Sequence, residues 1–141
     1  MKTIKLFISV AVLFTAVLCQ AQNKENKMKD GVYQEVEVMP EYPGGENALM
    51  NDLTGSIKYP EEARKNGIQG KVFVSFVVDE QGKVTNAKIE RGVEASLNQE
   101  SLRVVNGLKT WKPGMEKGKA VKVAYTIPIN YALDGKTDKK G

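Results

Sequence analysis

Side chains able to carry covalent or metal chemistry are scarce in this sequence. It contains no histidine, and its only cysteine, Cys19, lies in an apolar leader. Without them, Ser-His-Asp and Cys-His nucleophile systems and zinc sites built on histidine or cysteine cannot be assembled. Two adjacent carboxylate pairs remain, Glu61-Glu62 and Asp79-Glu80. The first falls where a helix would begin and the second at a hairpin tip, so the helix dipole and solvation account for both. Gly44-Gly45 and the stretch from Gly114 to Gly118 lack the spacing that cradles phosphate and read as turns. Trp111 stands at the end of an amphipathic stretch, where tryptophan is more often core than ligand platform. No catalytic residue, metal or cofactor is expected. The chemistry left is that of the backbone: an exposed strand edge offers N–H and C=O groups that are either guarded or used for strand addition by a peptide.

The elements that must position such an edge can be read from periodicity. "VYQEVEVMP" is β-branched and ends at Pro40, suggesting a short edge strand or extended lead-in. In "EYPGGENALMNDL" a Pro-Gly-Gly turn precedes a brief helix with Ala48, Leu49 and Leu53 on one side, ending by Gly55. "YPEEARKNG" carries Pro60 for the first helical position, acids for the positive end of the dipole, Lys65 for the negative end and Gly67 for a left-handed cap. From Lys71 the period becomes two, with Val72, Val74, Phe76 and Val78 on one face. After a turn at Gly82, Val84 has one parity and Ala87 and Ile89 the other, which calls for a bulge near Thr85-Asn86. Ser96 and Gln99 have the spacing of a capping box for a helix bearing Leu102, Val105, Leu108 and Trp111. "KAVKVAYTIPINYAL" alternates from Val121 to Tyr131 as one long strand.

The order helix, strand, strand, helix, strand, with one apolar and one mixed face per strand, predicts an α+β fold in which two main helices pack on one face of a three-stranded antiparallel sheet. The hairpin makes its strands antiparallel and the long helix returns the chain, so the last strand is placed beside the first, in order 2-1-3. The last strand is then an edge, where Pro128 is tolerated. From these rules alone, an inert edge guarded by Lys122 and Pro128 and a docking edge are equally open.

The 141 residues fit one small domain, 41% hydrophobic and 27% charged. Lys2 and Lys5 precede an apolar run from Leu6 to Leu18 and a small-residue exit at Ala21, the pattern of a secretory signal peptide spanning 1–21. This run of thirteen residues is short of the roughly 20 a membrane span needs, which leaves an uncleaved anchor as the second reading. Leu18 before Cys19 disfavours lipidation. The formal net charge of +4 includes the two leader lysines, and the remainder is too balanced to point to nucleic acid. Residues 22–37 read as a short polar tether and lead-in, 38–133 as the domain, and 134–141 as a polar tail.

"YPEEARKNGIQGKVFVSFVVDEQGKVTNAKIERG" and "SLRVVNGLKTWKPGMEKGKAVKVAYTIPINY", with the lead-in "MPEYPGGENALM", resemble the TonB C-terminal domain of Bacteroidetes-type energy transducers over residues 38–133. The resemblance implies an α+β domain that binds the Ton box of outer-membrane TonB-dependent transporters as an added strand, in the periplasm. It implies that Lys122, Ala124, Thr126, Ile127 and Ile129 of the last strand pair with the Ton box, and that Ser56, Lys58 and Tyr59 contact it. The segment Ser56-Ile57-Lys58 lacks the glutamine of proteobacterial TonB. The family's transducers also need a transmembrane helix that meets the ExbB-ExbD motor and a long periplasmic spacer. Residues 22–37 reach roughly 50–60 Å fully extended, so a free periplasmic module is expected, with a short anchored transducer or an edge-paired homodimer as the alternatives.

Overall fold

The structure, a computed structural model, describes residues 28–133; the leader at 1–21 and the tail at 134–141 lie outside the described residues. Its centre is the row read from the period of two. In strand β3 (Gly70–Val78), Val72, Val74, Phe76 and Val78 are all buried, none more than 1% exposed. Side chains of this size contribute about 1.5–3 kcal/mol each when fully withdrawn from water, so this row anchors the sheet. Counting the two short N-terminal strands first as β1 (Met28–Lys29) and β2 (Val32–Tyr33), β3 is flanked by β4 (Val84–Arg91) and by the last strand, β7 (Val123–Tyr131). Both pairings are antiparallel. The expected order 2-1-3 is thus the order β4-β3-β7, embedded in a five-stranded sheet β1-β2-β7-β3-β4.

Helices α1 (Gly45–Ser56), α2 (Glu61–Lys65) and α3 (Ala95–Asn106) join that face. α3 packs on β3 and β4, and α1 and α2 pack on α3. Leu49 and Leu53 of α1, Ala63 of α2, and Leu97, Val104 and Val105 of α3 meet the β3 and β7 rows in one core. Gly67 takes the left-handed conformation expected of it (φ 65°). Pro60 stands one residue earlier than expected, at the N-cap of α2.

The bulge in β4 is where the parity conflict placed it. Ser75 pairs with Lys88 and Val77 with Thr85, so β4 has one residue more than β3 between these rungs, and Asn86 takes φ 51°. Val84, Ala87 and Ile89 consequently all pack against the core. At the hairpin tip, Gly82 (φ 81°) accepts Trp111 N–H on its carbonyl at 2.7 Å. This ties the turn to the segment after α3 and buries Trp111 between Tyr42, Phe76 and Tyr125, with ring centroids 5.1–5.7 Å apart.

Four expectations are corrected. The capping box at Ser96 and Gln99 is not formed: α3 starts at Ala95, and the Glu94 carboxylate caps it by accepting Ser96 N–H at 3.2 Å. The helix ends at Asn106, so Trp111 lies beyond it, and its buried stripe is Leu97, Ser101, Val104 and Val105, with Leu102 and Leu108 only half-buried. The long final strand is interrupted at Lys122: β6 (Lys119–Val121) folds back on β5 (Gly114–Glu116) as a separate hairpin through Lys117-Gly118, both at positive φ. Finally, the polar stretch ahead of residue 38 is part of the fold. β1 and β2 form a hairpin over Asp30-Gly31, β2 pairs in parallel with β7 at Tyr33↔Val123, and Val36 is buried. The start of β7 is therefore covered and not an edge.

Candidate peptide-binding edge

β7 pairs with β3 through nine consecutive rungs, from Gly70↔Tyr131 to Val78↔Val123. In an antiparallel ladder, residues alternate between exchanging both backbone bonds with the partner and turning both groups away. Pro128 stands opposite Phe73 and has no N–H, so it belongs to the row that faces away from β3. Lys122, Ala124, Thr126, Pro128 and Asn130 share that parity. The Lys122 carbonyl confirms the assignment by accepting Tyr33 N–H from β2 at 2.8 Å. Past that contact the chain leaves β7, and its next backbone bonds are those of Val38 with Met115 and Glu41 with Lys112. The outward N–H and C=O of Thr126 and Asn130 and the C=O of Pro128 thus form an open row.

The other free edge, β4, is unfit for a long added strand. It breaks register with β3 twice, and it carries a charged cluster in which Ser75 Oγ donates to Glu90 Oε1 at 2.9 Å and Lys88 Nζ lies 3.4 Å from the same oxygen. The Ser75 bond, aided by Lys88, holds the Glu90 carboxyl below its ordinary range. Bulges and charge are the usual means of blunting an edge.

Beside the open row of β7 lies a groove of about 330 Å³, lined by Met50, Leu53 and Thr54 of α1, by Ile57, Tyr59 and Arg64, and by Pro128 to Ala132. Tyr59 forms its floor: its ring meets Tyr131 edge-on at 5.6 Å, and its hydroxyl donates to the Ile68 carbonyl. Burial raises the Tyr59 phenol above its ordinary pKa, against the opposing charge of Arg64, whose guanidinium carbon sits 5.8 Å from the ring centroid. Tyr131 is raised by burial too, and its hydroxyl lies 2.9 Å from buried Ser101 Oγ. Met50, 47% exposed, forms an apolar lip. The site offers a backbone ladder on one side and an apolar wall with one cation on the other, and among the described residues no group of three or more His, Cys, Asp or Glu could hold a metal.

The residues expected to bind from sequence divide in two. Thr126 lies on the open row, Ala124 at its covered end, and the Lys122 carbonyl is already used. Tyr59 and Ile129 line the groove. Ile127 and Ile129, each 3% exposed, have the parity that spends its backbone groups on β3. Ser56 and Lys58 are not among the residues lining the groove, and their backbone is engaged with α3: the Ser56 carbonyl accepts Arg103 Nη2 at 2.7 Å, and Lys58 N–H faces Glu100 Oε2 at 3.4 Å. Ile57, the residue between them that caps α1, lines the groove. Sequence reading missed Met50, Arg64 and Asn130, and had Ile57 only as part of the contacting segment Ser56-Ile57-Lys58. The parity of Pro128 was the available signal for Asn130; the others depend on how α1 and α2 fold over β7.

Comparison with known proteins identifies the family. A family model described as Gram-negative bacterial TonB protein C-terminal matches residues 55–133. The chain belongs to the TonB C-terminal family. Among its relatives, Protein TonB of Helicobacter pylori is 29% identical over 115 residues, covering 78% of this chain and 38% of that protein. Protein TonB of Xanthomonas campestris pv. campestris is 32% identical over 80 residues, covering 55% and 34%. The chain therefore spans well under half the length of these curated relatives. The solution structure of Helicobacter pylori TonB-CTD (residues 179–285) is similar at 29% identity and a TM-score of 0.49, covering 64% of this chain and 86% of that one. Among the described residues no helix is long and apolar enough to cross a membrane.

Proposed function

We propose that this protein is a periplasmic binding module of the TonB type, which docks Ton-box segments of outer-membrane TonB-dependent transporters by strand addition on β7 and so supports energy-coupled transport. The observation that carries the reading is the open row Thr126–Asn130 beside the apolar groove, because strand addition needs unpaired backbone groups for affinity and pockets beside them for side-chain choice. The blunted β4 edge supports the same choice, since it leaves β7 as the regular ladder. A Ton-box peptide titrated into isotope-labelled protein should shift the amides of Thr126 and Asn130 and the side-chain signals of Met50 and Ile57, leaving those of β4 in place. Shifts confined to β4, or none, would overturn the assignment. A homodimer formed through the same edge would show instead as concentration-dependent sedimentation without peptide.

A further inference from the structure

The hairpin β1–β2 occupies one end of the edge that the proposed partner would use. Tyr33 N–H already fills the Lys122 carbonyl at 2.8 Å, and Tyr33 pairs with Val123. The hairpin also leans on the open face of the sheet, where Lys29, Asp30, Val32 and Gln34 close a cavity of about 510 Å³ with Ser75, Val77, Ala124 and Thr126. A backbone carbonyl on a strand edge accepts one ladder bond, so an added strand and β2 cannot both hold this rung. The hold is slight: two rungs within the hairpin and one on β7, with Met28, Lys29, Asp30 and Gly31 exposed. A two-stranded hairpin of this length is marginal by itself.

We propose that Met28–Tyr33 is a displaceable internal competitor for the β7 edge, which admits a short strand at Thr126–Asn130 freely and a longer one, reaching Lys122, only by releasing the hairpin. The proposal rests on the reading of β7 as the docking edge and adds a length threshold to it. It follows that the protein itself, and not only its partner, sets how much of an extended segment is engaged.

The test uses the full chain, wild type and two variants. Tyr33→Pro removes the donor to Lys122, and Gly31→Val strains the hairpin turn, where φ is 79° and an added Cβ meets nothing within 4 Å. Each is titrated with a nine-residue Ton-box peptide long enough to span Lys122 to Asn130 and with a five-residue form spanning Thr126 to Asn130. Amide exchange at Val74 and Ile127 checks that the core is intact. The expected result is three- to tenfold tighter binding of the long peptide by both variants, with the short peptide unchanged. Equal binding of the long peptide by all three proteins overturns the competitor while leaving the docking edge standing, and so does weaker binding by the variants, which would make the hairpin part of the site. If neither peptide binds any of the proteins, the docking edge and the competitor fall together.

Discussion

At Gly82 two constraints meet on one backbone atom. Its φ is 81°, and a Cβ there would lie 1.8 Å from the Trp111 carbonyl oxygen. A left-handed L residue costs roughly 1–2 kcal/mol, and the clash is with backbone and cannot be relieved by a rotamer change. Gly82→Ala should therefore destabilise the protein by about 3 kcal/mol or more, read as a lower urea midpoint with tryptophan fluorescence changed. A second residue-scale device is the contact between Tyr42 Oη and Asp52 Oδ2, 2.6 Å, with Lys109 Nζ 3.4 Å from the same oxygen. The Tyr42 bond and Lys109 together hold the Asp52 carboxyl below its ordinary value. A carboxyl depressed in the folded state stabilises in full above its unfolded pKa, about 4, and loses that contribution as pH falls through the lower folded value. Thermal melts of Asp52→Asn should accordingly show a shallower loss of stability below about pH 4 than wild type.

The strands show what sequence can and cannot reveal about an element. The β3 row and the β4 bulge were legible because each is a statement about local parity: Val84 and Ala87 cannot share a face without an extra residue. The break at Lys122 was invisible for the same reason, since Val121 and Val123 keep one parity on both sides of it. The hairpin turn at Asp30-Gly31 carried a readable signal, a glycine after a residue tolerant of positive φ, which the polarity of its surroundings masked, whereas the turn at Lys117-Gly118 falls in the stretch read as a turn from its glycines. In the site, Tyr59 and Thr126 could be found from the resemblance, whereas the Met50 lip needs α1 to be folded over β7. Two substitutions test the strands. Asn86→Val places a β-branched residue at φ 51° and should cost about 1–2 kcal/mol by denaturant unfolding. Thr126→Pro removes one outward N–H, as Pro128 already does two residues on. It should weaken Ton-box peptide binding at least tenfold in calorimetry while the melting temperature moves by only roughly 2–3 °C.

On the scale of the whole molecule, the sheet is closed by pairing residues far apart in the chain, from 45 positions for Val78 with Val123 to 61 for Gly70 with Tyr131. Long loops must close before that pairing stabilises anything, which slows folding. The hairpin Met28–Tyr33, by contrast, adds to a finished edge. Val74→Ala, about 2 kcal/mol in cost, should therefore slow folding, while Tyr33→Ala should leave the folding rate unchanged and act, if at all, on unfolding. Stopped-flow chevrons of the two variants separate these outcomes.

The nine unbroken rungs between β3 and β7 also give the domain a mechanical grain. Their hydrogen bonds run across the strands, so tension along the axis of β7 is shared by the whole ladder at once, whereas tension away from β3 opens one rung after another. A segment lying alongside β7 and drawn lengthwise pulls on the stiff direction, and the two-rung hairpin peels before the ladder yields.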